Sequence, residues 1–374
     1  MTRAPGSLSL IVPFHRDVSQ LRACLEALAT SARGLRTVAA ELLVAADGAP
    51  DDPADVARAF GARVVVVPGP SGPATARNRA AAEATGEVLV FVDSDVVVHA
   101  DALTRIVSLL HERREVTAVF GAYDERPAAQ GLVSQAKNLA HTFVHQGSAG
   151  NAVTFWAGLG AVRAEAFWQV GGFDERFRRP SIEDIDLGYR LTGAGHRIVI
   201  DPSIRGTHLK HWTTRSALAS DLRDRGIPWT QLIPRYGGLQ TTLNLAHRYR
   251  LCVVLAYVVA VGACAALAWP GTWPVPVVSL LAMLGLDSDY FLFMARCRGW
   301  WFAARAVPLR LGHHLANGVS FAVGNLLYLA RRLGVHLPGS LPLDPWTADL
   351  QVRERAISPN PPPASLSSTT RSDP

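Results

Sequence analysis

Cysteine is scarce in this chain: Cys24, Cys252, Cys264 and Cys297 are the four in 374 residues, and none is spaced C-x-x-C. That excludes a zinc ribbon and a cystine-stapled scaffold, and it fits a soluble part in a reducing compartment with cysteines serving as small buried apolar side chains. No G-x-G-x-x-G or Walker sequence occurs, so dinucleotide oxidoreductases and P-loop enzymes lack their signature. Charged residues make up only 18% of the chain against 49% hydrophobic, with mean hydropathy +0.15. Such a balance excludes a disordered or collagen-like chain and suggests a water-soluble part averaged with a greasier one.

Acidic residues locate the seam. Residues 251–334 hold two, Asp287 and Asp289, against six arginines, whereas residues 1–250 carry 28 basic and 25 acidic side chains. The net charge of +6 and pI near 9.4 therefore arise beside apolar stretches, not on a basic stripe with interleaved aromatics. A membrane flank is expected, and nucleic acid is not expected as a partner. The first apolar stretch lacks a small-residue cleavage site and is ended by Pro13 and Asp17, which predicts a first β-strand rather than a signal peptide.

Apolar runs SLSLIVPF, ELLVAAD, RVVVVP, EVLVFVD and VTAVFG alternate with helical stretches up to about residue 120. Near-continuous Val, Leu and Ile strands separated by helices predict an α/β domain with a parallel sheet covered on both faces. Functional groups are then expected at the carboxyl ends of the strands: residues 13–17, Asp47 with its neighbours Ala46 and Gly48, and Asp93, Ser94 and Asp95. After Gly121 the pattern loosens into α+β, with a helix near 131–145, a glycine-rich AGLGAVR, a GGFDERF loop, the helical IEDIDLGYRLTGAG, a strand HRIVID and the string GTHLKHWTTRS.

Residues 251–268 run 18 positions without a charge, about 27 Å of helix against a hydrocarbon core of roughly 30 Å, with Tyr249, Trp269 and Trp273 as interface anchors. A second leg from Pro274 is uncharged only to Leu286. Carrying Asp287 and Asp289 into the bilayer would cost on the order of 2.5–3.5 kcal/mol each, which favours a hairpin or re-entrant leg ending near an interface at Asp287. Residues 311–330 form a third uncharged stretch, made less lipid-like by His313, His314, Asn317 and Asn325. The expected segments are about 251–269, 274–293 and 307–330, giving two or three crossings. Arg248, Arg250, Arg296, Arg298 and Arg305 would lie on one side, cytosolic by the positive-inside rule, although Arg331 and Arg332 oppose this if the third stretch crosses. Residues 335–374, rich in Pro, Ser and Thr, read as a disordered tail.

Asp93 and Asp95 project from a strand end, and paired carboxylates there suit a hard divalent ion that keeps positions open for phosphate oxygens and neutralises a leaving diphosphate. The repeat of those letters at 286–290 reads as an interfacial polar turn. Glu183 and Asp184 open a helix; that position is explained by capping, or by a general base taking a proton from an attacking hydroxyl. His141 and His145 lie four apart without a third ligand and read as surface histidines, while His313 and His314 read as residues near lipid headgroups.

Taken together, IVPFHRD, AADGAPDD, GPATARNRA, LVFVDSD, GLGAVRAEAFWQVGGFDERF and IEDIDLGYRLTGAGHRI resemble, in order and spacing, the inverting family 2 glycosyltransferases of GT-A fold over about residues 7–216. The resemblance implies a GT-A nucleotide-sugar-binding (Rossmann-like) α/β domain followed by C-terminal transmembrane helices: a nucleotide-sugar half at 1–120, an acceptor and catalytic half at 121–245, membrane segments at 246–334 and a tail at 335–374. It implies base contact by Asp47, with Ala46 where a preceding aspartate is usual. Arg77 would meet the nucleotide or its phosphates, with Asn78 supporting the loop. Asp95 would be the direct metal ligand, Asp93 would face ribose or metal, and Asp184 would be the catalytic base. Phe173, Asp174 and Glu183 would border the acceptor site, with Trp156 as an aromatic surface.

His208, Leu209, Lys210, His211 and Trp212 match the spacing of the Q-x-x-R-W signature of processive synthases, with His in place of both Gln and Arg. The departure argues against a processive polymerase. Lys210, His211 and Trp212 remain candidates for the diphosphate and His208 for a further metal ligand, against a surface loop as the alternative. The expected protein is thus a multi-pass cell-membrane glycosyltransferase with its catalytic domain on the cytoplasmic side. It would use Mg²⁺ or Mn²⁺ and a UDP- or GDP-type sugar to glycosylate a hydroxyl of a lipid-linked acceptor. The alternatives are a polyprenyl-phosphate sugar synthase and a catalytically silent nucleotide-sugar-binding membrane protein.

Overall fold

The computed structural model describes residues 6–236 and 247–343. Nine strands form one mixed sheet: β1 (Ser7–Phe14), β2 (Ala39–Asp47), β3 (Arg63–Val67), β4 (Val88–Val92), β5 (Val96–Val98), β6 (Val116–Tyr123), β7 (Gly150–Ala152), β8 (Leu159–Arg163) and β9 (Arg197–His208). The spatial order is β3-β2-β1-β4-β8-β6-β9-β5, with β7 also paired to β9. Strands β1 to β4 are parallel, as their apolar runs predict, and every residue of β4 is buried. Chain direction reverses where β8 lies antiparallel between β4 and β6. β8 comes from the AGLGAVR segment, which glycine disguises as a loop: a Cβ on Gly160 would stand 2.3 Å from the Trp156 carbonyl oxygen, so only glycine lets the strand pass.

Connections after β1 run to one side of it, through β2 and β3, and then cross to β4 on the other. The crevice at the carboxyl ends of β1, β2 and β4 is therefore the switch point at which α/β sheets collect ligands. Phe91, Phe167 and Phe173 pack edge to face beneath it, and each fully buried ring of this kind contributes roughly 1.5–3 kcal/mol.

The apolar region is helical: His247–Ala268, Pro274–Leu286, Ser288–Arg298 and Trp300–Arg332. Helix His247–Ala268 is the one described helix that by itself is long and apolar enough to cross a membrane, and its most apolar window is only 17% buried. The next two helices satisfy the same test only as a pair bent by 69° at Asp287. The expected continuous segment at 274–293 is corrected accordingly, since the chain turns where the acids begin.

Asp287 is not an exposed interfacial residue, contrary to expectation. It is fully buried, accepting two hydrogen bonds from Arg310 at 2.7 and 3.1 Å and lying 2.8 Å from His314 Nε2. His314 likewise sits inside the bundle rather than among headgroups, and His313 contacts Asp221 and Asn317. Asp289 pairs with Arg248 at 2.6 Å. Both acids that a bilayer would reject are thus neutralised by arginines of neighbouring helices.

Trp300–Arg332 begins and ends outside the third expected segment, and its inner side packs on residues 226–230. Gly226 and Gly324 make that possible: a Cβ on either would stand 2.3 Å from Ser320 Oγ or 2.5 Å from Thr230 Cβ. Of the cysteines, Cys24 and Cys252 are buried, whereas Cys264 is exposed on the apolar helix.

Replacing Arg310 by Met leaves Asp287 buried without its cation and should destabilise the helical region by about 3–5 kcal/mol. The double variant Arg310→Met, Asp287→Leu should recover most of that loss. Thermal unfolding of the detergent-solubilised protein followed by circular dichroism compares the two.

Candidate active site

The site begins at the end of β2. The carboxylate of Asp47 accepts hydrogen bonds from the Ser71 and Gly72 backbone N–H groups at 2.7 and 2.8 Å. Gly72, at φ +100°, precedes Pro73 at the first turn of helix Pro73–Glu83. The negative charge at that helix N-terminus fixes where the helix starts, and hence where Arg77 and Asn78 lie one turn later.

Arg77 is buried and bridges the two halves of the domain. One guanidinium nitrogen donates to Asp93 Oδ1 at 2.7 Å and the other to Glu183 Oε1 at 2.9 Å, while Phe173 lies 5.4 Å from its carbon. Its Nε is buried without a partner. Asn78 makes a reciprocal pair with the Phe173 backbone, donating from Nδ2 and accepting at Oδ1, both at 2.9 Å. These bonds close the GGFDERF loop onto helix Pro73–Glu83.

The clamp sets Asp184 at the first turn of helix Glu183–Gly193. Its oxygens accept from Ala157 N at 3.2 Å and Ile185 N at 2.8 Å. Burial, and next the adjacent Glu183 charge, push its carboxyl up to about 7, although Arg225 and Arg77 pull the other way. A carboxylate poised near neutrality suits a general base.

On the far side of Asp93, Asp95 Oδ2 lies 3.5 Å from His208 Nε2. His208 stacks on Tyr123 at 4.2 Å between ring centroids, and its Nδ1 donates to Asn138 Oδ1 at 2.7 Å. The Asn138 amide is oriented by Trp212 Nε1, which donates to the same oxygen, and by Nδ2, which donates to the Lys210 carbonyl. Nε2 therefore faces the Asp95 carboxylate. One carboxylate and one oriented imidazole, with the half-exposed Asp93 beside them, fit Mg²⁺ or Mn²⁺. Burial alone would raise the Asp95 carboxyl, but His208 and Lys210 hold it below the usual range, so it is ionised.

The string from His208 to Trp212 is thus divided. His208 and Trp212 are buried supports, while Lys210 and His211 are exposed, with the Lys210 ammonium 4.5 Å from the Trp212 ring centroid. The acceptor-side expectations need correction. Phe173 is fully buried in the core, because an apolar ring gains more there than in a polar cleft. Trp156 is buried, edge-on to Tyr123 and His145. Asp174 is closed onto its own loop by Arg176, and Glu183 is committed to Arg77 and Ser181 N. None of the four presents a free surface.

His141 and His145 are not surface residues either. Burial, and then Arg225, hold His141 well below its ordinary value and bring His145 down to about 4, so both are neutral. Arg225 donates to His141 Nε2 at 3.0 Å and brings a cation to the Asp184 side. It sits in a π-helical turn, Ser220–Gly226, where sequence periodicity could not assign a face. Its one sequence signal is the dense charge of DLRDRG before the apolar region. The grouping of Cys252, Asp287 and His314, whose ligand atoms lie within 4.8 Å, is already charge-compensated by Arg310 and has a structural explanation.

A mixed α/β sheet with acids at its switch point is a GT-A-like architecture. Residues 9–171 match the model of glycosyl transferase family 2. It is 29% identical over 231 residues to the pre-mycofactocin glycosyltransferase of Mycobacterium tuberculosis, covering 56% of this chain and 45% of the relative. Over 61 residues it is 49% identical to the N-acetylglucosaminyl-diphospho-decaprenol L-rhamnosyltransferase of the same species, covering 16% of this chain and 20% of that one. The chain spans about half the length, or less, of these curated relatives. The mannosyltransferase PcManGT from Pyrobaculum calidifontis, solved with GDP-Man and Mn²⁺, superposes with TM-score 0.50 at 18% identity over 88% of this chain and 89% of that one. That likeness shows the shared fold.

The Asp184 carboxyl is raised in the folded state, so its contribution to stability is fully present below the unfolded value near 4 and is lost as pH rises towards 7. Asp184→Asn removes that penalty and should raise the unfolding midpoint relative to wild type at pH 8 but not at pH 4. Melting curves across that range test the sign.

Proposed function

We propose that the protein is a membrane-associated inverting glycosyltransferase that moves a sugar from a UDP- or GDP-type donor to a hydroxyl of a lipid-linked acceptor. The observation that carries this reading is the Arg77 clamp, which holds Glu183 and Asp93 so that Asp184 and the Asp95–His208 pair border one crevice. The donor base is assigned to the Asp47 side and the diphosphate to the end of β4, near Lys210 and His211. A Mn²⁺ with nucleotide sugar in a protein of the same fold supports a divalent ion here, held by Asp95 and His208 with Asp93 beside them. When bound, that ion offsets the negative charge of the leaving diphosphate.

Asp184 accepts the proton of the acceptor hydroxyl as its oxygen attacks the anomeric carbon from the side opposite the diphosphate. The C–O bond to the diphosphate breaks with its electron pair leaving on the phosphate oxygen, so one displacement inverts the centre. The raised Asp184 carboxyl favours a hydroxyl over a phosphate nucleophile, since a phosphate is ionised at neutral pH and needs no base.

Membrane association rests on the exposed apolar helix His247–Ala268. The Arg248–Asp289 pair joins the start of that helix to the chain just beyond Pro274–Leu286, so both ends of this hairpin lie at one level, with the catalytic domain. Arg296 and Arg305, exposed beside Trp300 and Trp301, support reading that side as cytoplasmic.

Asp184→Asn should lower transfer to a hydroxyl acceptor by about 10²–10⁴-fold while nucleotide binding persists. Undiminished transfer would reject the base. Wild-type activity should rise through pH near 7 and this limb should shift to lower pH in Glu183→Gln, because removing the neighbouring charge lowers the Asp184 value. A pH series of kcat/KM measures both. Asp95→Ala should abolish the thermal shift that nucleotide produces only with Mn²⁺, a result that separates metal-dependent donor binding from catalysis.

A further inference from the structure

A cavity of about 390 Å³ lies between helix Leu132–Gln146, the π-helical turn Ser220–Gly226 and the start of helices His247–Ala268 and Trp300–Arg332. Val133, Ala140, Leu218 and Leu309 give it apolar walls, and Arg225 and His141 stand in its wall as well. A second space of about 330 Å³ shares Gly226, Trp229, Tyr249 and Asn317 with the first and extends along Val253, Val254 and Phe321 between the same two membrane-region helices. Val254 and Phe321 are at least half exposed on the outer surface of the bundle. The two spaces therefore join into one path from the exposed side chains of Val254 and Phe321 to Arg225, whose charge acts on Asp184.

Charge along this path is uneven. Lys137 is ion-paired with Asp221, and Arg310 with Asp287. Arg225 differs: its hydrogen-bond partner among the described residues is the neutral His141, and no carboxylate pairs with it. A half-buried guanidinium whose charge is felt by Asp184 but which no carboxylate salt-bridges, at the inner end of this channel, matches an amphiphile whose head is anionic.

We propose that this channel binds the acceptor lipid as an isoprenoid-type chain joined through phosphate. Arg225 takes the phosphate linkage, the tail lies along Val253, Val254 and Phe321, and the hydroxyl-bearing group beyond the phosphate reaches Asp184. This rests on the transferase reading and adds to it the acceptor class and a cation that recognises it. Arg225 is a binding residue here, and the phosphate it holds is a linker, not the nucleophile.

The test is equilibrium binding of farnesyl diphosphate and of farnesol to the full-length protein in detergent without any donor sugar, so that it does not depend on transfer. Farnesyl diphosphate should bind at least 10-fold more tightly than farnesol, and inorganic pyrophosphate at equal concentration should not displace it. Arg225→Gln keeps a donor for His141 but removes the charge, and should remove most of that 10-fold preference. Arg225→Lys should retain part of it. Val254→Trp, at an exposed position, should weaken both ligands together. Melting midpoints and Mn²⁺-dependent UDP or GDP binding close to wild type confirm that each variant is folded. Equal affinity for the two isoprenoids, full displacement by pyrophosphate, or wild-type preference in folded Arg225→Gln would overturn the proposal. Normal isoprenoid binding by a protein that transfers no sugar would instead overturn the transferase reading.

Discussion

One guanidinium organises the catalytic crevice. Arg77 reaches from the nucleotide-side helix to a carboxylate at the end of β4 and to another at the start of Glu183–Gly193. Three charges are brought together out of bulk water, an arrangement that burial penalises unless each finds its partner. The same contacts hold the end of β4 and the start of helix Glu183–Gly193 at a fixed spacing, although Asp93 and Glu183 are 90 positions apart in the sequence. Asp184 follows Glu183 immediately, so the buried pair determines where the exposed chemistry stands. Glu183 also raises its neighbour's carboxyl, which links the structural clamp to the basicity available at the cleft.

Helix Leu132–Gln146 carries the constraint outward. Asn138 orients His208 and Trp212, Lys137 pairs with Asp221, and His141 accepts from Arg225. Leu139 and Phe143 on the same helix pack against Tyr290, Phe291 and Met294 of the bent segment. A single element thus touches His208, the π-helical turn and the apolar region. Tyr123 stacks between the rings of His208 and His141, so these contacts are continuous in space.

The parallel strands were legible because buried runs such as VLVFV need no periodicity to be seen, and the acids at their ends follow from topology. Strand β8 was not legible: Gly158 and Gly160 lower strand propensity, yet close packing around Trp156 and Phe155 demands them. The residues at 93, 95, 77, 184 and 208 could be named from motif order, but partners such as Glu183 for Arg77, His208 for Asp95 and Asn138 for His208 could not, since they lie 70 or more positions away and depend on how the sheet closes. Phe173 and Trp156 misled for a related reason: an aromatic next to a site motif reads equally as a surface for ligand or as core, and only packing decides. Arg225 was hidden by the π-turn, whose extra residue breaks the helical periodicity on which a face assignment relies.

The apolar region solves a charge problem that composition alone exaggerates. Asp287 and Asp289 interrupt the second leg, and each has an arginine from another helix. Internal pairing removes Arg310 and Arg248 from the positive excess, while Arg298 is spent on the catalytic domain through Gln135 and the Glu125 carbonyl. What remains near that level to meet solvent or headgroups is Arg296 and Arg305, flanked by the exposed rings of Trp300 and Trp301. The 13-residue leg Pro274–Leu286 brings the chain back to the level of Arg248, with which Asp289 pairs, and the 69° bend at Asp287 then redirects it into Ser288–Arg298.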